Sequence, residues 1–377
     1  MKRLIALLLV ICAVLACGCA PAQDATVPTT EPVITDPPTD PPTDPPTEPP
    51  TEPPTDPPAP YHSPLTGEDL YEEPVARPYT VILNNYKSAQ PIHGISEADI
   101  VYESLTEGGM SRCLGVFSDI ASVKTLGSIR SARKHFVSIS ISLDAIFVHY
   151  GKSDVKGNPL GAQQYMNKTG WDHMDGTSKG YSYFYESKER QQAGYNKGDE
   201  CHFLVGQRAV DYAKKQKFDL VREEAIDYGW TFDDEYVIVG ETANKVTAYF
   251  NQSGKPGKST KYTQFEYDAE SGQYLVSQYG KKFVDGNTNE QLAFKNVIIM
   301  QTSVKKDPMG TKLMDIAMEG SGKGYYACNG QIVPIKWSRK KAEDPISYTL
   351  EDGTPVTFGV GKSYVVVSPS KSTVEWQ

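Results

Sequence analysis

The sequence predicts an α+β fold, in which a layered N-terminal domain with a mixed sheet and packed helices is followed by a β-rich C-terminal domain. Three observations favour this class. Short and almost continuous apolar runs, typical of strands covered on both faces, occur in the first part of the globular region. Segments with helical periodicity lie between them, but without the regular spacing of βαβ units. From about residue 230 onwards, short strand-like segments separated by turns predominate.

Residues 1–19 have the layout of a bacterial lipoprotein signal. A basic start (MKR) precedes the apolar run Leu4–Ala16, which is too short for a mature membrane span. The run ends in VLACGC, which resembles a lipobox, a group of small residues before a cysteine that receives lipid. Cys19 is favoured over Cys17 as that cysteine, and a plain cleavable signal is the alternative. The lipid would anchor the protein to the extracytoplasmic face of the cell membrane.

Residues 20–60 are predicted to be a disordered linker rich in Pro, Thr, Asp and Glu. An acidic residue followed by two prolines recurs every four residues from Asp36 to Pro58. Such a segment offers almost no apolar side chains for a core, and its prolines favour an extended chain of about 3.1 Å per residue. The linker therefore fits a stalk that holds a globular part away from the membrane. A proline-rich ligand for a partner module is the alternative.

Charge and cysteine content limit the possible functions of the globular part. The formal net charge is −9, of which residues 1–19 contribute +2 and residues 20–60 contribute −8, so that −3 remains for residues 61–377. A nearly neutral domain without a basic face is not predicted to bind nucleic acid. Only Cys113, Cys201 and Cys328 remain in this part, and their spacing fits neither a disulfide framework nor a zinc site. We therefore predict no metal and no cofactor.

The N-terminal domain, residues 61–230, is predicted to contain four strands and three helices. The predicted strands are Tyr79–Leu83, Ala98–Glu103, Cys113–Phe117 and Ala145–Tyr150. The predicted helices are Ser131–Leu143, Leu160–Asn167 and Gly206–Lys217. The second half of the first helix also alternates like a strand, but Asp144 separates this helix from the strand that begins at residue 145.

The C-terminal domain, residues 231–377, is predicted to consist of strands joined by turns such as Asn329-Gly330. The predicted strands are Tyr236–Val239, Lys245–Phe250, Thr263–Tyr267, Tyr274–Ser277, Phe294–Gln301, Gly324–Ala327, Ile332–Trp337 and Ser363–Val367.

Several blocks of sequence resemble one known family. They include SPLTG (63–67), GISEADIVYE (94–103), GSIRSAR (127–133), VHYG (148–151), GSGKG (320–324) and NGQ (329–331). In this order they resemble the YerB-like bacterial lipoproteins, a domain family of unknown function with N- and C-terminal YerB-like domains. The resemblance implies an exported lipoprotein with an α+β amino-terminal domain, and it implies no established reaction.

Arg130 and Arg133 are the first candidates for ligand binding. If the helix begins near Ser131, both guanidinium groups lie near its N-terminus, where free N–H groups already favour anions. A guanidinium can also bind a phosphate or carboxylate through two parallel hydrogen bonds. The segment therefore predicts a site for an anionic ligand.

A structural role for the same arginines is the alternative. Glu103 and Glu107 lie at the end of a neighbouring predicted strand and could pair with them across the sheet. The candidate ligand-binding set is Arg130, Arg133, Ser131, Arg112 and Glu107.

His149, Glu103 and His202 are the weaker candidates for a catalytic role. His149 ends an apolar strand, where a histidine can equally be hydrogen-bonded scaffolding. If the three side chains met, a general base would be conceivable. The sequence contains no nucleophile elbow, no phosphate-binding glycine loop and no triad signature.

Aromatic side chains around a glycine-rich loop, at positions 165, 171, 181 and 183–185, fit either a glycan groove or ordinary packing. The sequence predicts a non-catalytic envelope module, membrane-attached through its N-terminal lipid, that binds an anionic or glycan wall component or a partner protein. An envelope enzyme acting on a phosphate-bearing or glycan wall substrate is the alternative.

Overall fold

The computed structural model describes residues 59–236 and 238–377. The predicted signal, both candidate lipidation sites, Cys17 and Cys19, and nearly all of the predicted linker lie outside the described residues. None of the helices in the described ranges combines the length and the apolar character that a membrane crossing needs.

An eleven-stranded mixed sheet forms the centre of the molecule. Ile100–Leu105 and Ser363–Pro369 pair in parallel, so strands from both predicted domains belong to one sheet. In hydrogen-bonded order the strands are Glu241–Thr242, Gln331–Arg339, Gly320–Cys328, Asn296–Thr302, Ser363–Pro369, Ile100–Leu105, Ser111–Phe117, Tyr79–Leu83, Ile146–His149 and His173–Asp175, with Ser347–Leu350 paired to Gln331–Arg339.

A six-stranded antiparallel sheet and several small sheets complete the β structure. The β-rich character predicted for the C-terminal part is confirmed. The six strands are Lys281–Lys282, Gln273–Gln278, Tyr262–Asp268, Lys245–Tyr249, Val374–Trp376 and Ala293–Phe294. One small sheet has three strands, Leu126–Gly127, His202–Leu204 and Phe184–Glu186. Three others have two strands each: Tyr61–His62 with Asp69–Leu70, Thr231–Phe232 with Thr357–Phe358, and Val304–Lys306 with Met314–Ile316.

Four α-helices accompany the sheets in the described ranges. They are α1 (Lys134–Ser142), α2 (Ala162–Thr169), α3 (Lys188–Gln192) and α4 (Gly206–Gln216). Single 3₁₀ turns occur at Lys87–Ala89, Ile95–Glu97, Glu107–Gly109, Ile120–Ser122 and Tyr181–Tyr183.

Both faces of the central sheet are covered, as the continuous apolar runs predicted. On one face, Thr80 Oγ1 donates a hydrogen bond to Ser140 Oγ of α1 at 2.7 Å, and Phe136 of α1 is fully buried. Burying such a phenyl side chain contributes about 2 kcal/mol. On the other face, the six-stranded sheet packs through Phe265, whose ring centroid lies 5.1 Å from that of Tyr364. The layered α+β prediction is confirmed.

Two predicted elements differ from the structure. Helix α1 begins at Lys134, because Arg133 has extended backbone angles and serves as the N-cap residue, so the start predicted near Ser131 is wrong. The strand predicted at Tyr236–Val239 is also wrong for the residues that are described. Ladder pairing in this region starts only at Glu241–Thr242, and the Val239 side chain is exposed.

Candidate functional site

Polar side chains meet at one edge of the central sheet. Tyr79–Leu83 runs parallel to Ile146–His149, which in turn runs parallel to His173–Asp175. Their carboxyl ends therefore lie at the same edge, and Leu83 is opposite Cys113 of an antiparallel neighbour. The residues that follow or end these strands, Asn84, Arg112, His149 and Asp175, come together for this reason.

The segment 128–133, which the sequence singled out, runs along this edge. The Asn84 amide donates to the Ser128 carbonyl oxygen at 2.8 Å, and the Ala132 amide donates to the Gly151 carbonyl oxygen at 2.9 Å. The segment is thus held between two strand ends, and helix α1 follows it.

A cleft of about 580 Å³ opens beside this segment, and we call it the arginine cleft. Its walls come from the 84–88 turn, the 106–112 hairpin, Arg130 and the 194–200 loop. It is lined by Asn84, Tyr86, Ser88, Thr106, Met110, Ser111, Arg112, Arg130, Gly194, Asn196, Asp199 and Glu200.

Arg112 is the unusual residue of this cleft, because its side chain is buried without a carboxylate partner. It is 5% exposed and donates through Nη1 to the carbonyl oxygen of Ser131. No acidic group in the described ranges lies within ion-pairing distance of it. Burial, together with the charges of Arg133 and Arg130, holds the pKa of Arg112 well below its ordinary value. The Arg133 and Arg130 guanidinium groups thus act against the charged form of Arg112, whereas the Glu107 and Asp199 carboxylates favour it.

Arg130 and Arg133 differ in how firmly they are held. Arg133 binds Glu107 through two hydrogen bonds, of 2.6 Å from Nε and 2.9 Å from Nη2. Although burial alone would raise the pKa of Glu107, the hydrogen bonds and charge of Arg133 hold it below its ordinary value. Arg130 lines the cleft and contacts Asp199, whose side chain is 54% exposed.

The arginine cluster thus combines the two interpretations that the sequence left open. Pairing with Glu107 makes Arg133 part of the scaffold, whereas Arg112 and Arg130 face the cleft. Because α1 begins only at Lys134, Arg130 lies four residues before the first residue of the helix and not at its N-terminus. Ser131 contributes its carbonyl oxygen to Arg112.

Glu103 lies in a different place, between the two large sheets. It is fully buried and forms an ion pair of 3.0 Å with Lys261. Its carboxylate also accepts hydrogen bonds from Asn85, Ser111, Thr263, Gln278 and Tyr364.

His149 belongs to a third network. Its Nδ1 donates to the carbonyl oxygen of Gly151 at 2.8 Å, which leaves Nε2 to accept from Nδ1 of His173 at 3.0 Å. Burial lowers the pKa of His149 to about 4. Burial alone would raise the pKa of Asp175, but the nearby His149, Lys152 and Thr177 lower it.

His202 is separate again. It stacks on Tyr150 with ring centroids 3.6 Å apart and donates through Nε2 to the carbonyl oxygen of Gly198 at 2.9 Å. The structure therefore places His149, Glu103 and His202 in three different hydrogen-bond networks. Across residues 59–236 and 238–377, no group of three or more His, Cys, Asp or Glu side chains is arranged to hold a metal ion.

Several residues of this region were not singled out from the sequence. Asp199 contacts Arg130, and its carbonyl oxygen accepts from Asn84 Nδ2 at 3.0 Å. His173 and Asp175 continue the histidine network. The signal that could have found Asn84 is its place directly after an apolar strand, where functional side chains often occur. Asp199 lies in a polar loop without any comparable signal.

An aromatic groove of about 720 Å³ lies on the other side of the 193–196 loop. Tyr185, Tyr195, Phe203 and His93 contribute rings to its lining. Of the aromatic residues predicted for a glycan groove, only Tyr185 lines it, whereas Phe184 packs edge-on against Tyr150.

Comparison with known proteins identifies the family. Residues 65–211 match the N-terminal domain of a protein family of unknown function, DUF3048, and residues 255–365 match its C-terminal domain. The chain is also 28% identical over 320 residues to "Putative lipoprotein YerB" of Bacillus subtilis (strain 168), with 81% of this chain and 86% of that protein covered. This chain belongs to the YerB-like family. The resemblance predicted from the sequence blocks is confirmed.

The fold agrees with this assignment. The crystal structure of the Bacillus subtilis YerB protein superposes with a TM-score of 0.70 at 26% sequence identity, covering 84% of this chain and 99% of that chain. The YerB-like family carries no assigned activity.

Proposed function

We propose that this chain is a lipid-anchored, non-catalytic module of the cell envelope that binds an anionic group of a wall component in the arginine cleft. The observation that supports this most directly is Arg112, a buried guanidinium with one carbonyl partner and no carboxylate partner among the described residues.

An unpaired charge away from water costs free energy that a bound anion would recover. A phosphate or carboxylate between Arg112 and Arg130 would accept several charge-assisted hydrogen bonds. Asp199 competes for Arg130 in the free protein, but its exposed carboxylate can turn into solvent with little loss, because exposed ion pairs contribute at most about 1 kcal/mol. The cleft therefore suits an anion that displaces Asp199.

The proposed location rests on the N-terminal sequence and on the relative. Residues 1–19 resemble a lipoprotein signal, and the Bacillus subtilis relative carries "lipoprotein" in its name. An acidic, proline-rich stalk would then hold the cleft at the depth of the wall.

Binding to purified wall sacculi tests this function, with sacculi that carry or have been chemically stripped of their phosphate polymers. We expect the purified full chain to sediment with the intact sacculi and to be released by salt, since exposed charge interactions are screened. Equal binding to stripped sacculi would contradict a phosphate ligand and would indicate a carboxylate or a glycan of the remaining wall. Absence of binding to either preparation would contradict a wall ligand.

Arg130→Gln and Arg133→Gln form a matched pair for the same assay. Losing a charge-assisted interaction of about 2 kcal/mol weakens binding roughly 30-fold, and we expect this for Arg130→Gln. Arg133→Gln should lower the melting temperature because it breaks the pair with Glu107, but it should leave the affinity within about threefold of the original. If Arg133→Gln weakened binding and Arg130→Gln did not, the proposal that Arg130 binds the anion and Arg133 belongs to the scaffold would be contradicted.

An envelope enzyme acting on a phosphate-bearing substrate is the second candidate. It is favoured by the His149–His173 pair, which lies at the same sheet edge as the cleft. Neither histidine lines the cleft, which is why binding without turnover is preferred. Release of phosphate or sugar from isolated wall polymer, lost in His149→Gln, would support the enzyme instead.

A further inference from the structure

Lys261, Glu103 and Asn85 form a compact buried group between the central sheet and the six-stranded sheet. One carboxylate oxygen, Glu103 Oε1, lies 3.0 Å from Lys261 Nζ and 2.8 Å from Asn85 Nδ2. Glu103 and Asn85 are fully buried, and the lysine side chain is nearly so. The carboxyl group thus bridges an amine and a carboxamide from distant parts of the chain.

Aromatic rings surround the amine. Lys261 Nζ lies 4.6 Å from the ring centre of Tyr279 and 6.0 Å from that of Phe250. The Tyr279 hydroxyl donates to the carbonyl oxygen of Asn85 at 2.8 Å, which fixes the carboxamide-bearing residue against the same ring. The group is therefore shielded from water and held in position.

We propose that Lys261 and Asn85 become joined by an intramolecular amide bond, with Glu103 as the group that carries the proton. This inference is independent of the proposed function, because the bond lies behind the arginine cleft and not in it. It would covalently connect the N-terminal and C-terminal parts of the chain.

The reaction needs no oxidant and no co-reactant. Glu103 first takes a proton from the Lys261 ammonium group, which leaves a neutral amine and a neutral carboxylic acid. The amine nitrogen attacks Cγ of Asn85, and a new C–N bond forms. Glu103 passes the proton to the departing nitrogen of the carboxamide, whose C–N bond breaks. The excess proton of the attacking nitrogen passes to Glu103, which becomes a neutral carboxylic acid again. Transfer of that proton to the released ammonia restores the carboxylate, and one ammonium ion leaves.

The surroundings favour the neutral amine that the first step needs. Burial lowers the pKa of Lys261, although the charge and hydrogen bond of Glu103 oppose this shift, so the neutral amine is more accessible than in water. Ser111 accepts a hydrogen bond from Asn85 Nδ2 at 3.1 Å and also lines the arginine cleft, so only the Ser111 side chain lies between the departing nitrogen and that cleft.

Cys113, Cys201 and Cys328 are buried as free thiols, and no disulfide ties the two parts of the described chain together. An amide cross-link between residues 85 and 261 would supply a covalent tie that reducing agents do not cleave.

Peptide mapping of the purified full chain by mass spectrometry tests the bond directly. We expect one cross-linked peptide that contains Asn85 and Lys261 and has the summed mass of its two parts minus one ammonia. On a denaturing gel, the cross-linked chain should migrate faster than a variant without the bond. Unmodified peptides covering both residues would overturn the proposal, whatever any variant does.

Variants identify the chemistry. Glu103→Gln keeps the shape but cannot take the proton, and Asn85→Ala removes the electrophile, so both should yield the unlinked peptides. Lys245→Met is the control, because it removes a lysine from a surface pair with Glu266 and should leave the cross-link intact. Loss of ammonia that maps to a cyclised asparagine, such as the one before Gly330, would contradict the proposal.

Discussion

His135 allows a quantitative test of the electrostatics around the arginine cleft. It is the second residue of α1, is 3% exposed, and its Nε2 has no hydrogen-bond partner within the described parts of the chain. Burial lowers its pKa to about 3, the charges of Arg133, Arg112 and Lys134 act in the same direction, and Glu107 opposes them. The folded protein therefore keeps this imidazole neutral.

The sign of the effect on stability follows from proton binding. A histidine with a pKa near 6.5 in the unfolded chain binds a proton there before it does so in the folded protein. The stabilisation is therefore complete above about pH 6.5 and is lost progressively as the pH falls towards 3. Between pH 7.5 and pH 5.0 this one residue should lower the free energy of unfolding by about 2 kcal/mol.

Replacing His135 by Leu should remove this share of the pH dependence. The free energy of unfolding can be measured with urea at pH 7.5 and at pH 5.0. Its decrease between these two pH values should be about 2 kcal/mol smaller for the variant than for the original protein. At pH 7.5 the variant should lie within about 1.5 kcal/mol of the original, since leucine fills a similar volume and removes an unpaired polar atom. His149, with its pKa near 4, continues to contribute in both proteins.

The control is Phe136→Leu, which alters the neighbouring buried side chain without changing a titratable group. It should lower stability equally at both pH values. If His135→Leu retained the full pH dependence, the imidazole could not be buried and neutral in the folded state, and the assignment of its lowered pKa to burial would be refuted.

Three further changes should have measurable effects on folding. Arg77→Met should lower the free energy of unfolding by about 3 kcal/mol, as measured by urea titration, because it removes the hydrogen bonds of a buried guanidinium and leaves Asp172 without its cation, while Asp144 keeps its pair with Arg222. Gly206→Ala should destabilise by about 3 kcal/mol or more, since the new Cβ would lie 1.8 Å from the carbonyl oxygen of Ile120, whereas Gly198→Ala on the surface should change the melting temperature little. Asp175→Asn should make stability fall less steeply below pH 4, because the carboxylate's lowered pKa stabilises the fold only while it is ionised.

Secondary structure was largely predictable from local pattern. Runs such as Tyr79–Leu83 and Ser363–Val367 are apolar, β-branched and bounded by polar residues, and each forms a strand with limits close to those predicted. The exception at Tyr236–Val239 has the same composition. Its described residues, at positions 236, 238 and 239, have no ladder partner, and a β-like sequence forms no strand without one.

The candidate site was only partly predictable, because its contacts depend on strand order. Arg130, Ser131 and Arg133 are close together in the sequence, and this was enough to predict a ligand-binding segment there. The pair of Arg133 with Glu107 was one of the alternatives that the sequence left open. The ion pairs of Arg130 with Asp199 and of Glu103 with Lys261 join residues that are far apart in the chain. They depend on which strands pair and in which register, and the hydrophobic periodicity of a single segment does not determine this.

The position of Ser363–Pro369 has a consequence for how the chain reaches its native state. This strand is among the last elements of the chain, yet it lies between Asn296–Thr302 and Ile100–Leu105 and is parallel to both. Until it arrives, Ile100–Leu105 presents an unpaired backbone edge that invites aggregation. Folding should therefore be slow and completed only when the whole chain is available, as expected for non-local parallel pairing. A fragment that ends before residue 363 should remain incompletely folded.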